Sequence, residues 1–216
     1  MLDKAVVALG TQVRAQDGYA VRTVVENRLL PKGLCGVTVN GEKLPEGFVS
    51  MTREDIRRIY IPGAGGYLFP QGGCITVESY ESGGETFLSV RVEHGIDPEN
   101  GQYAYILLPD ATAQETAGYD MSDIEILAND ENVQAVREIS SGLTGIVFHA
   151  AGEFAGVVAH QPMIAMLQKN SDKTNIAVCD PTQKRESMSY AVNGKTVQIA
   201  CDSARGRGYR AVLEEE

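Results

Sequence analysis

Residues 87–94 follow a period of two, with mainly hydrophobic residues on one side and mainly polar residues on the other, which is the pattern of a half-buried β-strand. One side of that strand carries Leu88, Val90, Val92 and His94, and the other carries Phe87, Ser89, Arg91 and Glu93. Residues 103–108 have aliphatic or aromatic side chains on both faces, which predicts a strand buried between two layers. Residues 97–101, Asp-Pro-Glu-Asn-Gly, have the composition of a turn. The stretch predicts a long hairpin at the centre of a β-sandwich.

Short strand patterns fill most of the remaining chain, and no long amphipathic helix interrupts them. Asn40-Gly41 and Asn193-Gly194 are flanked by strand-forming residues, and an Asn-Gly pair in that setting predicts a tight hairpin. Residues 50–58 predict a helix of one or two turns, with Thr52 as its cap and arginines at its end. The pattern is typical of an all-β protein without internal repeats.

A break in the strand pattern divides the chain. Residues 110–120 are small or polar and lack strand periodicity, which indicates a linker or a single helical turn. We therefore expect a first β-domain at residues 1–110, a linker at 111–121 and a second β-domain at 122–216. The second domain has strand-like runs spaced as in a small antiparallel sandwich, at residues 124–127, 133–137, 146–148, 154–158, 163–168, 175–179, 187–192, 196–201 and 209–213.

The charge and hydropathy of the chain argue against several classes of partner. The 216 residues carry a formal net charge of −10, spread along the chain, and such a surface repels polyanions, so we expect no nucleic-acid partner. No apolar run approaches the roughly 18 to 20 residues that cross a bilayer, so we expect no membrane partner. The N-terminus carries an acid early and runs directly into a strand pattern, unlike a secretory signal.

The sequence predicts neither a metal site nor a cofactor. The four cysteines lack C-x-x-C spacing, and the three histidines lack H-x-H and H-x-x-x-H spacing. We interpret the cysteines as free thiols. Cys179 and Cys201 end two strand-like runs, and they would form a disulfide only if those strands pair and the Cα atoms come within about 7 Å. The glycine-rich residues 62–66 precede a strand and lack the Lys-Ser/Thr of a phosphate loop, which favours a turn.

Four groups of segments are weakly specific alone but informative in their order. They are residues 7–11 with 23–28, residues 93–95 with 103–109, residues 123–127 with 133–137, and residues 178–183. In this order they resemble segments of the polysaccharide lyases of family 8, which comprise the hyaluronate, chondroitin AC and xanthan lyases. The resemblance covers nearly the whole chain. It implies the later part of a large antiparallel multi-sheet β-sandwich, the galactose-mutarotase-like supersandwich, followed by a small C-terminal antiparallel β-sandwich.

The resemblance also implies an activity, which is cleavage of uronic-acid-containing polysaccharides by β-elimination. In the family, an Asn, a His, a Tyr and a helping Arg do this chemistry, mostly on an upstream helical domain. Nothing in this sequence matches that domain, so we assign no catalytic residue. The implied partners are the upstream helical domain and, through the parent enzyme, an acidic polysaccharide. The family is usually extracellular or periplasmic, and the missing signal peptide indicates a fragment or a truncated reading frame.

Four residues are candidates for contact with an acidic sugar. Arg22, Asn27 and Arg28 lie in or beside a family-like segment, and guanidinium and amide groups suit the recognition of carboxylates and hydroxyls. His94 ends the strand at residues 87–94 and titrates near neutral pH. The alternative for all four is a structural role, as solvated, ion-paired or packed side chains.

Three functions follow from these observations. The first is the C-terminal β region of a family 8 lyase, noncatalytic alone, which supports the helical domain and forms one wall of its cleft. The second is a free-standing carbohydrate-binding or adhesion module, although the tyrosines at 67, 103 and 105 alternate with aliphatic residues, which favours core packing. The third is an enzyme in its own right. Because the first sandwich would be incomplete, its open sheet edges also predict self-association.

Overall fold

A computed structural model of the chain describes residues 4–169, 173–201 and 207–214. The chain divides into two compact units, residues 1–122 and 123–216, and its described residues are almost entirely antiparallel β-structure. The prediction of an all-β fold is confirmed. None of the helices in these ranges is long and apolar enough to span a bilayer.

The first unit contains two antiparallel sheets. Its strands are β1 (Val6–Val13), β2 (Ala20–Leu29), β3 (Thr38–Val39), β4 (Glu42–Lys43), β5 (Ser50–Arg53), β6 (Arg58–Ile61), β7 (Gly65–Leu68), β8 (Ile75–Ser82), β9 (Glu85–Ile96) and β10 (Gly101–Pro109). The strand order is β1-β10-β7-β6-β3-β4 in sheet A and β2-β9-β8-β5 in sheet B. Helix α1 (Ala113–Gly118) and a 3₁₀ turn (Met121–Asp123) follow β10.

The core of the first unit lies between sheets A and B. Ile59, Ile61 and Tyr67 enter it from sheet A, whereas Val77 and Val90 enter it from sheet B, and all five are buried. Because both sheets direct alternate side chains into one cluster, they face each other as the two layers of a sandwich.

The predicted hairpin over residues 87–109 is wrong, because its two strands lie in different sheets. Strand β9 lies between β2 and β8, whereas β10 lies between β1 and β7. The turn between them bonds to another loop: the Asp97 carboxylate accepts a hydrogen bond from the Gly18 N–H at 2.9 Å, and the Pro98 carbonyl accepts one from the Ala15 N–H at 3.1 Å. The connection therefore crosses from one layer of the sandwich to the other.

The two apolar faces predicted for β10 explain why this strand lies inside sheet A and does not pair with β9. Ala104, Ile106 and Leu108 are buried on one face of the strand, and Tyr103, Tyr105 and Leu107 pack against the core on the other face. A strand with two apolar faces is stable only inside a sheet that is covered on both sides. This requirement places β10 in the interior of sheet A.

The predicted helix at residues 50–58 is also wrong. Ser50–Arg53 is strand β5, which pairs with β8, and Arg58 begins β6. Between these strands, the Asn40 side-chain oxygen accepts hydrogen bonds from the backbone N–H groups of Arg57 and Arg58, at 2.8 and 3.1 Å. Sheet pairing and this side-chain bridge satisfy the backbone groups that a helix would otherwise satisfy.

Helix α1 lies in the segment that the sequence predicts to be a linker. A capping box begins it: the Thr112 hydroxyl accepts from the Glu115 N–H at 3.2 Å, and the Glu115 carboxylate accepts from the Thr112 N–H at 2.8 Å. Thr116 is buried, and a Cβ atom on Gly66 of β7 would lie 2.5 Å from its hydroxyl oxygen. The glycine therefore allows α1 to pack directly on sheet A.

The second unit is also built from two antiparallel sheets. Its strands are β11 (Ile124–Asn129), β12 (Val133–Glu138), β13 (Leu143–Phe148), β14 (Gly152–Phe154), β15 (Val157–Ala159), β16 (Met163–Lys169), β17 (Lys173–Cys179), β18 (Ser187–Val192), β19 (Lys195–Ala200) and β20 (Tyr209–Glu214). The strand order is β11-β12-β13-β16-β17-β20 in sheet C and β14-β15-β18-β19 in sheet D.

The core of the second unit lies between sheets C and D. Phe148, Ala165 and Ile176 enter it from sheet C, and Val157 and Tyr190 enter it from sheet D. The predicted hairpin at Asn193-Gly194 is confirmed, because these residues join β18 to β19 with φ angles of 50° and 72°. Both units are therefore two-layer sandwiches.

Candidate functional site

The pairing of β2 with β9 separates the four predicted sugar-contacting residues into two groups. Arg28 lies opposite Leu88, a residue of the core, so Arg28 is on the face of sheet B that looks into the sandwich. Asn27 lies opposite Ser89, and Arg22 lies opposite Glu93, so both are on the opposite face. His94 is on the inner face, where it bonds to a neighbouring strand. The structure therefore does not bring these four residues together.

His94 is part of a half-buried polar contact. A hydrogen bond of 2.8 Å joins its Nε2 atom to the Thr23 hydroxyl, and its ring centroid lies 6.4 Å from that of Tyr103. Burial lowers the pKa of His94, and the opposing effect of the neighbouring Glu93 carboxylate is smaller. A Cβ atom on Gly101 would lie 2.9 Å from the other ring nitrogen, Nδ1. The site thus holds a neutral imidazole in a fixed position.

Three tyrosines of sheet A continue from His94 across the inside of the sandwich. The rings of Tyr103 and Tyr105 are stacked, with centroids 6.2 Å apart and planes inclined by 23°. Burial raises the pKa of Tyr105, and the adjacent Tyr103 raises it further. Tyr67, on the neighbouring strand, is buried beside them.

Tyr67 connects this row to a carboxylate and a guanidinium of β2. Its hydroxyl donates a hydrogen bond to Glu26 Oε2, and the same oxygen lies 3.0 Å from Arg28 Nη2. Burial raises the pKa of Tyr67. The Glu26 carboxylate, which accepts a hydrogen bond from the Tyr67 hydroxyl, raises it further. We call the seven residues of this continuous line the inner row: Thr23, His94, Tyr103, Tyr105, Tyr67, Glu26 and Arg28.

The other face of sheet B carries Arg22 and Asn27, which are exposed, beside Ser89, which is buried. The Asn27 side-chain oxygen accepts a hydrogen bond from the Tyr80 hydroxyl at 3.0 Å. The Tyr80 ring stacks on Phe87, with centroids 5.3 Å apart and planes inclined by 10°. Tyr80 remains 38% exposed, so this stack is accessible from solvent.

A groove lies beside Arg28, between the loop that follows β2 and the turn between β6 and β7. Its volume is about 440 Å³. The residues that line it are Arg28, Leu29, Leu30, Pro31, Lys32, Gly33, Cys35, Pro62 and Gly63. We call it the Arg28 groove. It combines two cationic side chains with apolar walls.

Comparison with known proteins places this fold in a family. Residues 1–120 match the model of the polysaccharide lyase family 8 super-sandwich domain, and residues 125–189 match that of the family's C-terminal beta-sandwich domain. The chain belongs to polysaccharide lyase family 8. The resemblance inferred from the sequence is therefore confirmed, and so is the prediction of a super-sandwich portion followed by a C-terminal sandwich.

This family 8 chain is similar to hyaluronate and xanthan lyases. It is 30% identical to a hyaluronate lyase of Thermasporomyces composti, over 99% of this chain and 30% of that protein. It is 27% identical to a xanthan lyase of Bacillus sp. strain GL1, over 98% of this chain and 25% of that protein. The solved structure of a Paenibacillus xanthan lyase matches with a TM-score of 0.83 and 26% identity, over 99% of this chain and 25% of that one. The chain thus spans about a quarter to a third of these relatives.

The last family-like segment of this family 8 chain, residues 178–183, forms a structured turn. The buried Asp180 carboxylate accepts hydrogen bonds from the backbone N–H groups of Thr182, Lys184 and Arg185, each at 3.0 Å. Burial raises the pKa of Asp180, but these bonds and one from the Thr182 hydroxyl outweigh it and lower the pKa to about 2. The role of Asp180 here is to hold the chain between β17 and β18.

The other histidines and the cysteines do not form a site. His149 and His160 each hydrogen-bond to one neutral side chain. All four cysteines are free. The condition for a disulfide fails, because Cys179 ends a strand of sheet C and Cys201 follows a strand of sheet D. In the ranges that the structure describes, no three His, Cys, Asp or Glu side chains are grouped so as to hold a metal ion.

Proposed function

We propose that this chain is the C-terminal β region of a polysaccharide lyase that cleaves uronic-acid-containing chains by β-elimination. The observation that carries the proposal is that one contiguous part of each relative covers nearly all of this chain. Those relatives are called hyaluronate and xanthan lyases, and a further relative is called Chondroitinase-AC. Each of these names refers to an acidic polysaccharide. The extracellular space or the periplasm is the compartment we propose for the parent protein.

We further propose that the segment is noncatalytic alone and supports the rest of the enzyme or walls its substrate cleft. Elimination requires a donor for the sugar carboxylate, a base for the proton on the adjacent carbon, and an acid for the leaving oxygen. The groups of the inner row that suit these roles are already bonded to one another: His94 to Thr23, and Tyr67 to Glu26. Such mutual bonding favours a structural role for the row.

An elimination assay tests this proposal. The purified chain is mixed with hyaluronan, chondroitin sulfate or xanthan, and the ultraviolet absorbance of the unsaturated product is followed. We expect no rate above buffer. A rate that disappears in His94→Gln but persists in His160→Gln would contradict the proposal and would assign the chemistry to the inner row.

A replacement experiment tests the supporting role. The matching C-terminal part of the Thermasporomyces composti hyaluronate lyase, about 30% of that protein, is replaced by this chain. We expect the chimaera to remain folded and to retain activity. A truncated lyase, from which the matching part is deleted and not replaced, should lose solubility or activity. Equal activity of the truncated lyase and the chimaera would count against a supporting role.

The accessible stack on sheet B favours a second function, a carbohydrate-binding module. Aromatic faces supply much of the contact area in sugar sites, and a hydrogen-bonding amide beside them can orient a sugar hydroxyl. Tyr80, Phe87 and Asn27 provide this combination. Calorimetric titration with hyaluronan oligosaccharides separates the two functions. Saturable binding that Tyr80→Ala abolishes would favour the module.

A further inference from the structure

The Arg28 groove concentrates positive charge on an otherwise acidic chain. Arg28 is paired with Glu26 at 3.0 Å, so these two charges compensate each other. Lys32 is exposed on the groove and forms no ion pair with any of the described residues. The groove therefore has a net charge of about +1, from Lys32, while the whole chain carries −10. Such a local excess attracts an anion despite long-range repulsion.

Arg28 has hydrogen-bond donors that the protein does not use. A guanidinium has five N–H donors. Arg28 Nη2 contacts Glu26, and Nη1 donates to the Gly63 carbonyl over a long distance of 3.4 Å. The Nε atom is shielded from solvent and has no hydrogen-bond partner. The Arg28 side chain as a whole is 34% exposed, so a carboxylate in the groove can accept a hydrogen bond from the Nη1 group, whose own bond to Gly63 is long.

The remaining walls of the groove suit a sugar ring. Leu30, Pro31 and Pro62 supply apolar surface beside the two cations, and the volume of about 440 Å³ exceeds that of a single carboxylate group. Pockets that bind small ligands typically combine apolar walls with a few placed polar groups. We infer that the Arg28 groove binds a uronic acid residue, with its carboxylate held by Arg28 and Lys32 and its ring against the prolines.

The choice of a uronic acid over other anions rests on the proposed function, whereas the cationic groove itself does not. Glucuronate, glucose and inorganic sulfate therefore serve as three separate probes. Lyase activity is not part of the test, so loss of the lyase assignment would leave the binding result interpretable.

Cys35 provides a reporter at the edge of the groove. Its thiol is exposed, whereas the other three cysteines are half-buried and serve as internal controls. The rate of its alkylation by iodoacetamide is measured by mass spectrometry at increasing glucuronate concentration. We expect saturable slowing at Cys35 alone, no slowing by glucose, and slowing by sulfate only at higher concentration.

Two variants and a matched control locate the binding. Lys32→Gln should weaken glucuronate binding about three- to tenfold, because it removes the unpaired charge. Arg28→Lys keeps the charge but removes the planar set of guanidinium donors, and should weaken binding similarly. Lys43→Gln removes an exposed lysine away from the groove and should leave binding unchanged.

Three outcomes would overturn the inference. They are equal affinity of Lys32→Gln and Lys43→Gln, equal protection by glucose and glucuronate, or protection that never saturates. Sulfate binding as tight as glucuronate binding would overturn the sugar assignment. Circular dichroism of each variant shows whether it is folded. Lys32→Gln changes only an exposed side chain, so this variant tests the inference even if Arg28→Lys does not fold.

Discussion

Gly10 lies directly opposite Tyr103 in the pairing of β1 with β10, and a Cβ atom on Gly10 would come within 2.0 Å of the Tyr103 ring. No rotation of a methyl group relieves such an overlap, so the ring or the strand must move. Gly10 is thus the residue that leaves room over β1 for the Tyr103 ring, which stacks on Tyr105 and contacts the tilted His94 ring in the inner row.

Gly10→Ala should therefore lower the free energy of unfolding by about 1–3 kcal/mol, the usual cost of overpacking. Urea denaturation gives this value, and hydrogen exchange of β1 shows whether the loss is local. Gly118→Ala is the control, because nothing lies within 4 Å of its added Cβ atom. Replacing Tyr103 by a small residue in the same protein should restore part of the loss. A Gly10→Ala protein as stable as the Gly118→Ala protein would contradict the geometry.

The lowered pKa of His94 should make the first unit less stable as the pH falls. Burial lowers its pKa below the ordinary 6.5, so the folded protein favours the neutral ring and the unfolded chain takes up the proton first. The stability from His94 is complete above pH 6.5 and is lost as pH falls through the folded pKa. An NMR titration of the His94 ring should give a midpoint below 6.5. His94→Gln should flatten the pH dependence of unfolding, and an unchanged slope would count against this explanation.

The sequence predicts where strands lie better than it predicts which strands pair. In the second unit nearly every predicted run coincides with a strand, because alternation is a local property of the chain. The run at 154–158 is an exception. Ala155 and Gly156 have φ angles of 52° and 80°, so the chain reverses there and forms two strands, β14 and β15. Pairing depends on residues distant in the sequence, and the hairpin prediction at 87–109 failed for this reason.

The inner row was not predictable for a related reason. The pairing of β2 with β9 shifts register between Val24 and Glu26, so strict alternation assigns the wrong face to part of the strand. This bulge places Thr23, Glu26 and Arg28 on one face, although residue 23 differs in parity from the other two. No local sequence signal marks the bulge. Glu26 was therefore missed, and the sequence did not show that Arg22 and Asn27 lie on the opposite face of β2 from Arg28.

Asp180 should be the residue that makes the second unit acid-sensitive. Its pKa of about 2 lies below the ordinary 3.8, so the carboxylate stabilises the fold above pH 4. This contribution is lost as pH falls from about 4 to about 2. Asp180→Ala leaves three backbone N–H groups without their acceptor, and should lower the free energy of unfolding by about 2–4 kcal/mol at neutral pH.

Urea denaturation at pH 7 and pH 3 checks the role of Asp180. The difference between wild type and Asp180→Ala should shrink at the lower pH. The control is Asp17→Ala, which changes an exposed carboxylate in a loop of the first unit. A difference that is the same at both pH values would show that the charge of Asp180 does not stabilise the turn.

Strand β1 should mediate self-association of the isolated chain. Among the strands that the structure describes, it ends sheet A and pairs only with β10, and it is half-buried along its whole length. A sheet edge of this kind, with apolar side chains, is a template for another strand. Light scattering should therefore show a mass that rises with protein concentration. Leu9→Lys places a charge on the edge and should keep the chain monomeric, whereas Ile139→Lys, at an exposed residue of the second unit, should not. A wild-type chain that stays monomeric at high concentration would show that β1 is already blocked within the molecule.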